Sequence, residues 1–177
     1  MNYLFLDNGF EEIEALTTVD LLRRAHIALT TVSTSGKQAV DGAHGVTVLA
    51  DKRFEETDFK DAEMLILPGG PGHVHFKEHA GLCALLKKHN REEKPIAAIC
   101  AAPSILGELG ILEGKQATCY PGFEEQLGES FIGGLVVESK NVITAKGPGL
   151  ASDFAFCIIS KLAGEDVADE VYDTAQY

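Results

Sequence analysis

The sequence predicts a three-layer α/β sandwich whose sheet is mostly parallel, with antiparallel strands at its margins. Short apolar runs at Tyr3–Leu6, Ala28–Val32, Met64–Leu67 and Ile96–Cys100 have the length of strands buried on both faces. All but the second pass within a few residues into helix-like periodicity, which makes βαβ alternation. The chain has 177 residues, 45% of them hydrophobic, enough to fill one core. It shows no repeat, linker or low-complexity stretch, so residues 1–177 read as a single domain.

After the first strand, Ile13, Leu16, Val19 and Leu22 recur every third residue, as on one face of a helix. Beyond the second, Asp41-Gly42 and Ala43-His44-Gly45 separate two β-like pieces, Gln38–Val40 and Val46–Leu49, as an inserted hairpin. Leu135–Val137 and Val142–Ala145 flank a turn at Lys140-Asn141 and supply the antiparallel margin. Leu150, Phe154, Cys157, Ile158 and Leu162 follow the spacing of a core helix. From Glu165 onward five acids stand without a Lys or Arg, the pattern of a solvated terminal helix.

Charge and cysteine usage exclude several functions. With 15 basic and 27 acidic residues the net charge is −12, which repels phosphate, so neither nucleic acid nor an anionic membrane is an expected partner. No apolar run approaches the ~18 residues of a membrane span. The first seven residues lack the basic start of a signal peptide, and a cytoplasmic protein is expected. Cys83, Cys100, Cys119 and Cys157 form no C-x-x-C pair, which argues against a zinc knuckle or a redox dithiol.

In a parallel sheet the active site lies at the carboxyl ends of the strands, here Asp7–Glu14, Pro68–His75, Cys100–Ser104 and Lys146–Gly149. Cys100 is the strongest candidate. It stands where a buried strand meets a helix that opens near Pro103, with Ala98 and Ala102 as the small neighbours that a nucleophile elbow requires. A thiol at a helix N-terminus is expected to be the most acidic of the four. All six histidines precede Cys100, so the downstream His and Glu of a class I glutamine amidotransferase are missing. Glu11 and Glu12 read as acids complementing a helix dipole, whereas Glu14, one turn in, can point back over the strand ends toward sulfur. Leu67-Pro68-Gly69-Gly70-Pro71-Gly72 lacks the residues of a P-loop or a dinucleotide fingerprint. Its use is close backbone approach, with a glycine N–H of this loop and the Ala101 N–H as two halves of an oxyanion hole. His73, His75 and His79 have too weak a ligand spacing to predict a metal, and no cofactor is expected.

Glu11-Glu12-Ile13-Glu14-Ala15, Leu67-Pro68-Gly69-Gly70, Ala97-Ala98-Ile99-Cys100-Ala101-Ala102-Pro103 and Gly147-Pro148-Gly149 together resemble the ThiJ/PfpI superfamily, and within it the DJ-one (DJ-1) branch. The resemblance implies a flavodoxin-like fold, a homodimer and an oxidation-prone nucleophile at Cys100. It also implies that Glu14 is the carboxyl bonded to that sulfur and that Gly70 and Ala101 supply backbone N–H groups around it. Members of this branch credited with acting on glyoxals and glycated groups often carry a histidine where this chain has Tyr120. A phenol with an ordinary pKa near ~10 donates a hydrogen bond but is a poor base at neutral pH. Two functions are therefore expected from the same residues. One is a glyoxalase or deglycase acting on methylglyoxal or early glycation adducts, with Glu14 or Tyr120 moving protons. The other is a redox-sensing stress protein or chaperone in which Cys100 oxidises.

Overall fold

The computed structural model describes residues 1–177. Its main sheet runs in the order β5-β2-β1-β6-β7-β9-β8, from β1 (Asn2–Leu6), β2 (Leu29–Ser33), β5 (Lys52–Arg53), β6 (Met64–Leu67), β7 (Ile96–Ile99), β8 (Val136–Ser139) and β9 (Val142–Ala145). Every neighbouring pair is parallel except β8 with β9 at one edge. The hairpin of β3 (Ala39–Asp41) and β4 (Thr47–Leu49) forms a separate antiparallel ribbon. This is an α/β flavodoxin-like fold with the antiparallel margin read from the sequence.

The strands are apolar on both faces because both are covered. Leu4, Leu6, Ile66, Ala97 and Ile99 face a core completed by Ala15 and Leu22 of α1 (Glu12–Arg24) and by Phe154 and Ile158 of α6 (Ala151–Ala163). Tyr3, Phe5, Leu65, Leu67 and Ala98 face the other, with Phe76 of α2 (His73–Glu78), Leu82 and Leu86 of α3 (Ala80–Arg91) and Ile105 of α4 (Pro103–Glu108). Alternate residues of one strand thus enter opposite cores, and each fully buried Phe or Leu contributes roughly 1.5–3 kcal/mol. A short α5 (Glu124–Leu127) packs on α4, and the acidic α7 (Glu165–Ala175) lies on α6 through Ala168 and Val171. No helix is long and apolar enough to cross a membrane.

The first helix corrects the sequence reading. Its buried residues include Glu14, Ala15, Thr18, Leu21 and Leu22, while Ile13 is 56% exposed and Leu16 is also exposed. Steps of three fall short of the 3.6-residue turn, so three such steps drift around the helix instead of holding one face. A buried glutamate therefore lies where the apolar pattern placed a surface.

Candidate active site

Seven residues from the four strand-end segments and three from outside them enclose a cavity of about 290 Å³. Glu11, Gly70, Pro71, Cys100, Ala101 and Pro148 meet there with His73 at the start of α2. His44 comes from the β3–β4 turn, and Tyr120 and Phe123 from the loop that follows α4.

Cys100 directly follows β7 with φ +65°, the left-handed region that residues with a Cβ seldom adopt. Such a conformation costs of order 1–3 kcal/mol and persists only where its surroundings hold it. Here the Cys100 N–H donates to the Ala145 carbonyl at 2.9 Å, and the Cys100 carbonyl accepts from Tyr120 N–H at 2.8 Å. The turn lifts the side chain out of the strand and toward the cavity, as the small neighbours Ala98 and Ala102, both fully buried, permit.

Glu14 is fully buried beneath it. The first turn of α1 is set by Glu11, whose Oε2 caps the helix by accepting Glu14 N–H at 2.8 Å. Glu14 Oε2 accepts Gly69 N–H at 2.7 Å, while Oε1 is buried without a hydrogen-bond partner. The carboxyl and the Cys100 side chain both lie against Gly69, near enough for each to shift the other's titration. Only glycine fits at 69, because a Cβ there would lie 2.7 Å from Cys100 Cβ and 2.9 Å from Glu14 Oε2. Gly70 has φ +93°, and a Cβ would press on the Glu11 nitrogen at 2.5 Å.

Burial raises the Glu14 pKa to about 7 against the pull of the Gly69 N–H. Burial, then the Glu14 charge and hydrogen bond, push Cys100 up to about 12, opposed by the Gly70 and Ala101 N–H groups. This corrects the expectation that Cys100 is the most acidic thiol. Its helix begins only at Pro103 and has six residues, too remote and too short to outweigh a buried carboxylate. A thiolate forms at neutral pH only when Glu14 holds the proton and donates it to sulfur, so the pair shares one proton and one negative charge. The two backbone donors converge on that sulfur.

Tyr120 lines the cavity, half exposed, its ring against Gly147. The three clustered histidines part company. His73 Nδ1 lies 2.9 Å from the Gly70 carbonyl inside the cavity, whereas His75 and His79 line a different one, His79 capping α3 through Leu82 N–H. Glu11, Glu12 and His44 bring three donor atoms within 4.8 Å of one another. Glu12 spends both oxygens on His44, one on its backbone N–H at 2.6 Å and one on its ring Nδ1 at 2.8 Å. Sequence reasoning missed this pair and the cavity position of Phe123. A histidine in a turn signal carries no mark of the cavity onto which the hairpin folds.

A family model described as the DJ-1/PfpI family matches residues 3–161. The chain belongs to the DJ-1/PfpI family. It is 33% identical over 159 residues to the glutathione-independent glyoxalase DJR-1.2 of Caenorhabditis elegans, covering 88% of this chain and 84% of that protein. It is 34% identical to the protein DJ-1 homolog B of Arabidopsis thaliana over 93% of this chain but spans only 38% of that longer protein. The structure of oxidized Toxoplasma gondii DJ-1 superposes with a TM-score of 0.96 at 33% identity, covering 99% of this chain and 97% of that one. The DJ-1/PfpI match extends across the elbow, the glycine loop and the Glu11–Glu14 segment alike.

Proposed function

We propose that this DJ-1/PfpI protein is a cofactor-free cysteine enzyme of the glyoxalase or deglycase type, acting on methylglyoxal or early glycation adducts. The observation that carries the reading is Cys100, held in a left-handed bend at the cavity over a buried, proton-holding Glu14 and two backbone donors. The relative named a glutathione-independent glyoxalase supports the substrate class. In this scheme the Cys100 sulfur adds to the aldehyde carbon, and Gly70 and Ala101 N–H groups hold the charge that leaves the carbonyl. Glu14 returns a proton to sulfur when the product departs, and Tyr120 walls the substrate and donates a hydrogen bond. Rearrangement and addition of water release a 2-hydroxy acid.

Lactate formation from methylglyoxal by freshly reduced protein tests the reading. Turnover by the native chain that vanishes in Cys100→Ser supports it, and equal rates from the two refute it. A redox-sensing role is the second reading, favoured by the similarity to a DJ-1 structure described as oxidized and by a phenol at position 120. It expects Cys100 to gain two oxygens under mild peroxide without catalytic turnover.

Exposed Ile13 and Leu16 on α1, with Val46 and Leu49 on the adjoining hairpin, make an apolar surface for a second copy of the chain. Val46 N–H reaches Glu12 Oε1, so the two elements abut. A homodimer in a reducing compartment such as the cytoplasm also suits the four unpaired cysteines.

A further inference from the structure

Position 120 offers the cavity a phenol, so the proton traffic of the proposed reaction needs another carrier. Two imidazoles reach the cavity, His44 and His73, and their anchoring differs. His73 Nδ1 faces a neutral carbonyl, that of Gly70, and its ring stands edge-on to Phe123 at 5.2 Å. His44 Nδ1 faces a carboxylate oxygen of Glu12 at 2.8 Å, and Glu11 Oε1 lies 3.9 Å from the same nitrogen. An ionised carboxylate only accepts, so Nδ1 carries hydrogen and Nε2 is the atom left to give or take a proton.

The anchor is built into the fold. Glu12 is only 10% exposed at its side chain, while the ring it holds is 72% exposed at the mouth of the cavity. Its other oxygen accepts the His44 N–H at 2.6 Å, and Ala43 N–H bonds the Phe10 carbonyl at 2.9 Å, so the turn is tied to the start of α1 at successive residues. The titratable groups that share the cavity with the ring are Glu11, His73, Cys100 and Tyr120, and no Lys or Arg lines it.

We propose that His44, oriented by Glu12, is the general acid–base residue of this site, working beside the Cys100 nucleophile. The assignment rests on the glyoxalase-type reading above. As sulfur forms its bond to the aldehyde carbon, the carbonyl π pair moves to oxygen, which takes the proton of imidazolium Nε2. Neutral Nε2 then removes the hydrogen of that same carbon as a proton. The C–H pair becomes a carbon–carbon double bond, and the neighbouring ketone's π pair moves onto its own oxygen. Returning the proton to the former ketone carbon, with the hydroxyl proton passing to the neighbouring oxygen, leaves a thioester. Water cleaves it to the 2-hydroxy acid and the free thiol. One water is consumed, and no external oxidant or reductant enters. The hydrogen bond and charge of Glu12 raise the His44 pKa above that of a free imidazole, which suits the acid step. Glu12 is a positioning residue and need not touch the substrate.

The test measures lactate formation from methylglyoxal across pH for native protein, His44→Asn, Glu12→Gln, His73→Asn and Cys100→Ser, with iodoacetamide alkylation of Cys100 followed in each variant that retains it. His44→Asn keeps a donor for Glu12 and should lose roughly 10²-fold or more in kcat, because a placed acid–base group contributes typically ~10² to 10⁴-fold. Its Cys100 alkylation should stay within about twofold of native, and added imidazole should restore part of the rate. Glu12→Gln should move the histidine limb of the kcat profile to lower pH, since the neutral amide no longer holds the imidazolium. Native turnover matched by His44→Asn would overturn the assignment and leave the cysteine enzyme standing. So would a defect confined to KM, or a loss seen in His73→Asn instead. Native turnover no greater than that of Cys100→Ser would overturn the underlying reading and this assignment together.

Discussion

Cys100 and Cys157 each lie beside a glutamate, and the two pairs differ in burial, in counter-charge and in the backbone around the thiol. Cys157 on α6 sits 3.9 Å from Glu138 Oε2 on β8, and burial followed by the Glu138 charge raises its pKa to about 11. Glu138 is exposed and ion-paired to Lys161 at 2.6 Å, so its charge is paired and open to solvent. Glu14 has no cation and no solvent; burial lifts it to about 7, where one proton is within reach of both the carboxyl and the thiol. Cys100 also has what Cys157 lacks, two backbone N–H donors on sulfur and a bend that turns it into a cavity. A carboxylate beside a thiol merely suppresses the thiolate; a carboxyl deprived of water can supply the proton back.

The largest expected effect comes from removing that carboxyl. Glu14→Leu should lower turnover of methylglyoxal roughly 10²-fold or more, by loss of the group that hands protons to sulfur. Glu138→Leu, which alters the other pair, should leave turnover within about twofold, as an exposed group remote from the cavity. Comparable losses in the two variants would erase the distinction drawn between the pairs.

Stability should carry the next signature. Glu14 ionises near its ordinary 4.5 in the unfolded chain and at about 7 in the folded one. The folded state thus keeps the proton longer, so this contribution is fully present below 4.5, falls as pH rises to about 7 and is flat beyond. The loss is on the order of 3 kcal/mol. Urea unfolding of native and Glu14→Gln proteins should show that slope in the native chain and its removal in the variant, whereas Glu138→Gln should leave it in place. A slope of the same size in Glu14→Gln would assign it to other groups.

Much of this site was legible because its members stand at strand ends, where local pattern and chemistry coincide. Cys100 between Ala98 and Ala102, just ahead of Pro103, announces a bend that the backbone then shows. Gly69 and Gly70 after an apolar run announce close approach, and each would collide with Glu14, Cys100 or the Glu11 backbone if it carried a Cβ. Glu12 was not legible. Read locally it complements the helix dipole, and its bond to His44 exists only because a hairpin 32 residues away in sequence folds over α1. Ile13 and Leu16 misled for a related reason: apolar residues that face outward look the same in sequence as those that face the core.

The smallest effect concerns the bend itself. Residues with a Cβ are strained at φ +65°, so Cys100→Gly should be more stable than Cys100→Ala by about 1 kcal/mol in chemical unfolding. At Cys157, inside the regular helix α6, the same pair of substitutions should rank in the opposite order, by about 1 kcal/mol. Equal ordering at the two positions would remove the strain assigned to Cys100.

Infrared difference spectra of native against Glu14→Gln protein test the central claim most directly, that Glu14 holds its proton close to neutrality beside Cys100. The account predicts a protonated carboxyl band that persists well above pH 4.5 and disappears as pH passes through about 7. A band already lost near pH 4.5, the ordinary carboxyl value, would mean that Glu14 is a simple carboxylate and that Cys100 lacks its proton source.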